Sequence, residues 1–310
     1  MKVLIVDKMH ASLSGLLAAI GLESDYRPEI NREALLEIVG QYTGLIIRSK
    51  TPVDAELLQK AKNLRFVARA GSGLDAIDAK QAESQGIRVF NAPEANRDAV
   101  AEHTMGMLLG LLHSIHLGNT QIKNHIWNRE DNRGVELKGK TVAVIGYGNI
   151  GKEVAKRLSV FETRVLVYDK YKVSYGDQYA EEATMKHIYE EADIVTLHIP
   201  LTVYNRFMVN EVYLRSFKKS ILLINTARGK LVDLTALCKA LESGKVIGAC
   251  LDVLENENLA QFTPSQKEAF NFLIKHPQVI LTPHVAGWTH ESYERINHVL
   301  VEKIKQCLFD

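Results

Sequence analysis

The stretch "TVAVIGYGNIGKEVAKRL", Thr141 to Leu158, decides the fold. A short apolar run passes through Gly146, Gly148 and Gly151 straight into an amphipathic pattern, which reads as strand, tight turn, helix. In that context the three glycines do different things. Gly146 permits the turn, Gly148 lets the backbone approach a pyrophosphate, and Gly151 lets helix and strand pack closely. The helix N-terminus then faces the phosphates. Asp169 ends the next apolar run, "RVLVY", about 20 residues on, where a carboxylate can accept hydrogen bonds from the adenosine ribose hydroxyls. An acid there repels a 2′-phosphate, so the pattern predicts NAD rather than NADP, with Lys170 beside it weakening the exclusion.

Working outward, five more short β-rich runs follow "TVAVI": "RVLVY" (164–168), "DIVTLH" (193–198), "ILLIN" (221–225), "VIGACLD" (246–252) and "QVILT" (278–282). Helical patterns separate them, so six strands are predicted in a doubly wound parallel sheet of order 3-2-1-4-5-6. Upstream, "KVLIV" (2–6), "GLIIR" (44–48), "RFVARA" (65–70) and "IRVF" (87–90) predict a smaller α/β unit. Asp98 to about Lys123 reads as one long amphipathic helix with Asp98 as N-cap, and Thr289 to Leu308 as a final helix that returns to the first unit.

The chain has 310 residues, 38 Lys and Arg against 37 Asp and Glu, and a net charge of +1. No global field therefore favours nucleic acid or an anionic membrane, and any anion must be gripped locally. Cys238, Cys250 and Cys307 lie far apart and match neither a disulfide framework nor a zinc site, so no metal is expected. No apolar run approaches the roughly 20 residues that cross a bilayer, and the N-terminus lacks a signal-peptide pattern, which predicts a cytoplasmic protein.

Three ionisable residues follow the last three apolar runs of the second series: Arg228 after "ILLIN", Glu257 after "VIGACLD" and His284 after "QVILT". Ligands of open parallel sheets bind outside the carboxyl ends of the strands, so all three are aimed at one edge. Their chemistry agrees. Moving a hydride from an alcohol to a nicotinamide needs a base for the hydroxyl proton, and histidine serves near neutral pH. A carboxylate beside it would orient the imidazole and favour imidazolium. Arg228 would hold a substrate carboxylate by charge-assisted hydrogen bonds and polarise a carbonyl in the reverse direction.

"GYGNIG", "LHIPLT", "INTARGKLVD", "GACLDVLENE" and "LTPHVAG", with "VARAGSGLDAID" and "NAPEANRDAVAEH" upstream, together resemble the D-isomer-specific 2-hydroxyacid dehydrogenases, above all the branch acting on D-3-phosphoglycerate. The resemblance implies an NAD-dependent enzyme of two doubly wound α/β domains with a cleft between them. A flavodoxin-like substrate domain would comprise 1–97 and 288–310, and a Rossmann NAD-binding domain 98–287. By position it implies Arg228, Glu257 and His284 as catalytic residues, and Gly146, Gly148, Asn149, Ile150, Gly151, Asp169, His198, Pro200, Thr226, Asp252 and Gly287 as NAD contacts. The backbone of Ser72 and Gly73 would receive the substrate carboxylate, and Arg48, Ser49, Lys50 and Arg129 a phosphate. It also implies a homodimer through the helix around Ala101 to Leu112.

Two positions depart from the family pattern: Asn258 stands where proline is usual, and Trp288 where phosphoglycerate dehydrogenases have a small residue. The indole either reshapes the substrate pocket or packs on a surface. Glyoxylate or hydroxypyruvate reduction is the alternative activity within the family, and an NAD-sensing corepressor that binds partners is the alternative outside catalysis. The chain stops soon after the last helix, which predicts no regulatory domain and no inhibition by serine.

Overall fold

The computed structural model describes residues 1–309, with Phe309 in backbone only. It divides into two units, Met1–Arg97 with Trp288–Asp310, and Asp98–Gly287. The first holds a parallel sheet of β1 (Lys2–Ile5), β2 (Glu23–Tyr26), β3 (Gly44–Ile47), β4 (Phe66–Arg69) and β5 (Arg88–Asn91), in the order β2-β1-β3-β4-β5. That is the flavodoxin-like winding, which reverses direction between β1 and β3. Val3, Leu4, Ile5, Leu45, Ile46, Ile47, Phe66, Val67 and Ala68 are buried, as continuous apolar runs covered on both faces should be. The helix His290–Phe309 completes one of those faces: Ile296, Leu300, Val301 and Ile304 join Val3, Ile5 and Phe66 in a single cluster.

The second unit holds β6 (Thr141–Ile145), β7 (Arg164–Tyr168), β8 (Glu181–Glu182), β9 (Ile194–Leu197), β10 (Ile221–Asn225), β11 (Val246–Leu251) and β12 (Val279–Leu281). The order is β12-β11-β10-β9-β6-β7-β8, all parallel. This corrects the expected arrangement in one respect. The sequence pattern puts "DIVTLH" third, next to "RVLVY", but β9 pairs with β6 on its other side, and the third place belongs to the two-residue β8. Both residues of β8 are exposed glutamates, so no apolar period marks it. Arg228, Glu257 and His284 consequently follow the fifth, sixth and seventh strands of this sheet.

The predicted Asp98–Lys123 helix is two helices, Arg97–Leu112 and Ile115–Lys123, broken at Ser114, whose φ of 51° is left-handed. Asp98 lies inside the first turn and is not the cap. No helix among the described residues is long and apolar enough to cross a membrane.

Candidate functional site

The glycine loop is built as its spacing predicts. Gly146 has φ 96°, and a Cβ there would stand 2.5 Å from the His198 carbonyl oxygen. A Cβ at Gly151 would stand 2.0 Å from the Gly146 carbonyl oxygen, so the first turn of the Asn149–Ser159 helix lies directly on the loop. Gly148, by contrast, faces open space, and the helix it precedes has no side-chain cap. Two glycines serve packing and the third leaves backbone exposed next to uncapped first-turn amides, an arrangement that fits a pyrophosphate. Asp169 is half-buried just past β7: its Oδ2 accepts from the Tyr147 amide at 3.1 Å and its Oδ1 from the Tyr171 amide at 3.0 Å. Those two bonds hold the carboxylate beside the glycine loop, where a ribose hydroxyl can reach it.

His198 follows β9, whose junction with β6 is the reversal point of this sheet. Its amide donates to the Ile145 carbonyl at 2.7 Å, and its Nε2 lies 2.8 Å from the Thr196 hydroxyl. The residue as a whole keeps some exposure, but Nδ1 is sealed from water without a hydrogen-bond partner, and burial pushes the imidazole pKa down to about 3. The Pro200 carbonyl closes the following turn by accepting from Asn205 Nδ2 at 2.8 Å.

Arg228 owes its placement to Asn225, the fully buried last residue of β10. Asn225 Oδ1 accepts from the Ala227 amide at 3.0 Å, and its Nδ2 donates to the Arg228 carbonyl at 2.9 Å, which folds the turn tightly. Thr226 is buried in that turn with its hydroxyl 3.1 Å from Thr104 Oγ1. At Gly229 a Cβ would meet the Leu254 carbonyl oxygen at 1.8 Å, so the turn after β10 lies against the one after β11, three residues short of Glu257.

Asp252 organises the third loop. Its side chain is fully buried at the end of β11. Oδ1 accepts from the Thr282 hydroxyl at 2.5 Å and the Val285 amide at 2.9 Å, and Oδ2 from the Ala286 amide at 2.9 Å. His103 Nε2 backs the same group, 3.0 Å from Thr282 Oγ1. Between these anchors His284 takes a left-handed φ of 56°, its amide donating to the Asp252 carbonyl at 2.7 Å. The ring is thereby turned onto Glu257: Nδ1 lies 2.9 Å from Oε2, with both side chains about half exposed. When Nδ1 carries the proton that Glu257 accepts, Nε2 presents a lone pair outward. A ring so held can act as a general base, and it stands on the sheet edge that also carries Arg228.

In the first unit, Asp7 is buried after β1 and accepts at Oδ2 from the Arg48 amide at 2.5 Å and the Lys50 amide at 3.2 Å, and at Oδ1 from the Thr51 hydroxyl at 2.8 Å. Lys50 Nζ donates to the carbonyls of Pro28 at 2.8 Å and Ile30 at 3.2 Å, which ties it to its own loop. Ser49 is exposed, as is Arg129 in the segment after the Ile115–Lys123 helix. The Ser72 carbonyl accepts from Asn91 Nδ2 at 2.6 Å, and its hydroxyl donates to Asn96 Oδ1 at 2.6 Å, which fixes the Ser72–Gly73 backbone. Sequence reasoning does not single out Asp7, His103 or Thr282. Asp7 carries the same signal as Asp169, an acid directly after a buried apolar run.

Residues 105–286 match the family model of the D-isomer specific 2-hydroxyacid dehydrogenase, NAD binding domain. The chain is 37% identical over 275 residues to hydroxypyruvate reductase of Thermotoga maritima, covering 89% of this chain and 88% of that protein. It is 35% identical over 309 residues to D-3-phosphoglycerate dehydrogenase of Archaeoglobus fulgidus, covering 98% of this chain but 56% of that protein. The chain thus spans little more than half the length of that relative. Among solved structures it resembles a glyoxylate reductase from Paecilomyes thermophila (TM-score 0.88, 27% identity, 100% of this chain and 96% of that one). It also resembles D-lactate dehydrogenase from Aquifex aeolicus complexed with NAD and lactic acid (TM-score 0.84, 26% identity, 98% and 94%).

Proposed function

The chain belongs to the D-isomer-specific 2-hydroxyacid dehydrogenase family, and from that premise we propose that it transfers a hydride between a D-2-hydroxyacid, D-3-phosphoglycerate foremost, and its 2-oxoacid. The observation that carries the reading is the His284–Glu257 pair at 2.9 Å, held by a buried Asp252 on the same sheet as an open glycine loop. NAD, when bound, accepts the hydride or returns it. The chain's own residues do the rest. His284 Nε2 takes the hydroxyl proton in oxidation and returns it to the carbonyl oxygen in reduction, while Glu257 keeps the ring in the required tautomer and stabilises the imidazolium. Arg228 binds the substrate carboxylate and draws charge onto the reacting oxygen.

Asn149 and Ile150 amides meet the pyrophosphate, Asp169 the ribose, and His198 and Pro200 border the adenine side. Thr226, Asp252 and Gly287 lie towards the nicotinamide. Ser72 and Gly73 supply backbone donors to the substrate carboxylate, and Arg48, Ser49, Lys50 and Arg129 are the phosphate contacts, with Arg48 foremost because Lys50 is tied to backbone carbonyls. Met1–Arg97 with Trp288–Asp310 acts as the substrate domain and Asp98–Gly287 as the nucleotide domain. A cytoplasmic homodimer through the Arg97–Leu112 helix completes the proposal; an open, mainly apolar groove lined by His103, Met107, Gly110, Ile115 and Ile280 supports it.

The test is NADH oxidation with phosphohydroxypyruvate, hydroxypyruvate, glyoxylate, pyruvate and 2-oxoglutarate, on the wild type and His284→Ala. Phosphohydroxypyruvate should rank first, and the variant should lose about 10²- to 10⁴-fold in turnover. Full activity in the variant would remove His284 from the chemistry, and no turnover of any acid would leave a binding protein. Hydroxypyruvate or glyoxylate reduction is the second reading, favoured by the 37% identity to a hydroxypyruvate reductase along nearly its whole length; it wins if those two acids outrank the phosphorylated one.

A further inference from the structure

Arg48 leaves the carboxyl end of β3 and Asp7 the end of β1, the two strands between which the winding of their sheet reverses. Ligands of such sheets sit at that point. The loop there is preset, because the buried Asp7 carboxylate fixes the amides of Arg48 and Lys50 and the hydroxyl of Thr51. The Arg48 guanidinium is half-buried, and burial holds its pKa below the usual value. What covers it is aromatic. Its central carbon lies 3.6 Å from the Trp288 ring centroid and 4.4 Å from that of Tyr293. The two rings are nearly parallel, 18° apart with centroids at 6.1 Å, and His10 meets Tyr293 edge-on at 5.6 Å. Trp288 nevertheless stays 61% exposed, so burial of its own surface does not account for its place.

An aromatic ring engages the face of a guanidinium and leaves the N–H donors along its edge for an oxyanion in the same plane. We propose that Trp288 and Tyr293 are positioning residues that hold Arg48 as a fixed oxyanion seat, and that Trp288 thereby sets a preference for substrates carrying a second anionic group. That group is a phosphate monoester or a second carboxylate, the two chemistries a planar donor fork binds in bidentate fashion. The inference rests on the reading of the chain as a D-2-hydroxyacid dehydrogenase and adds what selects among the acids.

The experiment has two arms on the full chain. In the first, KM and kcat are measured for phosphohydroxypyruvate and hydroxypyruvate with the wild type, Trp288→Ala and Trp288→Phe. Trp288→Ala should raise KM for the phosphorylated acid about three- to tenfold, the worth of one cation–π contact, with kcat and the hydroxypyruvate KM unchanged. Trp288→Phe should recover part of the loss. In the second, Trp288 emission is followed in a Trp127→Phe background, which leaves it the single tryptophan, during titration with 3-phosphoglycerate, D-malate and D-glycerate. The seat predicts a response to 3-phosphoglycerate, to D-malate or to both, none to D-glycerate, and its disappearance with Arg48→Ala. Equal KM changes for the two oxoacids, or emission unmoved by all three probes, overturns the proposal while leaving the dehydrogenase intact. An emission response without turnover of either oxoacid keeps the seat and refutes the activity.

Discussion

His198 shows how one buried atom reports on the region around it. Its Nδ1 is sealed and its pKa lies near 3, so the folded protein holds this imidazole neutral throughout the physiological range. In the unfolded chain the same ring titrates at about 6.5. Above that pH neither state binds the proton and the residue leaves stability independent of pH. Below it the unfolded chain takes a proton that the folded one refuses, so stability falls as pH drops from about 6.5 towards 3, by up to about 1.4 kcal/mol per unit from this residue. Replacing His198 with glutamine should flatten that part of the profile. Urea midpoints of the two proteins between pH 7 and pH 4, roughly the window those pKa values define, provide the check, and parallel profiles would mean the ring is hydrated after all. The buried Cys250 and half-buried Cys238, both pushed up to about 12 by desolvation, stay as thiols and add nothing to this dependence.

At the scale of elements, the edge that carries Arg228, Glu257 and His284 depends on loops pressed against each other closely enough that a methyl group does not fit. Gly229 is the sharpest case. A Cβ placed 1.8 Å from the Leu254 carbonyl oxygen must push the turn carrying Arg228 away from the turn leading to Glu257. Gly229→Ala should therefore raise KM for the oxoacid and lower kcat, while NAD affinity, which we propose the glycine loop after β6 sets, holds. Isothermal titration with NAD beside steady-state kinetics separates the two, and normal kinetics would show the loops yield freely. Such contacts explain what can and cannot be read in the sequence. Runs such as "TVAVI" and "ILLIN" announce strands because they are buried on both faces, and the acids, arginine and histidine after them mark the edge proposed as the site. The edge strands β2, "ESDY", and β8, "EE", have no buried run to announce them, and without β8 the expected order misplaces "DIVTLH". The helix break at Ser114 is hidden for a different reason: no glycine or proline marks it. Trp288 over Arg48 joins positions 240 residues apart through packing alone, which no local pattern carries.

At the scale of the whole molecule, the chain leaves its first unit near Arg97 and returns to it at Trp288, so that unit is assembled from two distant segments. The returning segment is structural. Ile296, Leu300, Val301 and Ile304 are all buried against β1, β4 and their neighbours, and each such side chain contributes roughly 1.5–3 kcal/mol when withdrawn from water. Together they amount to about 6–12 kcal/mol, comparable with the roughly 5–15 kcal/mol that stabilises an ordinary domain. Asp98–Gly287 has its own clusters, around Ile145, Leu197 and Leu223 on one sheet face and Val144, Val167 and Ile224 on the other, and neither includes a residue of that helix. A chain ended after Gly287 should thus lose the first unit and retain the second. Limited proteolysis would then digest the residues before Asp98 and leave a resistant fragment that still binds NAD, because the glycine loop and Asp169, the contacts proposed for it, belong to the surviving unit. Survival of residues 1–97 under the same digestion would show that the β1–β5 sheet buries enough apolar surface without its returning helix, and that this helix is not what holds the first unit together.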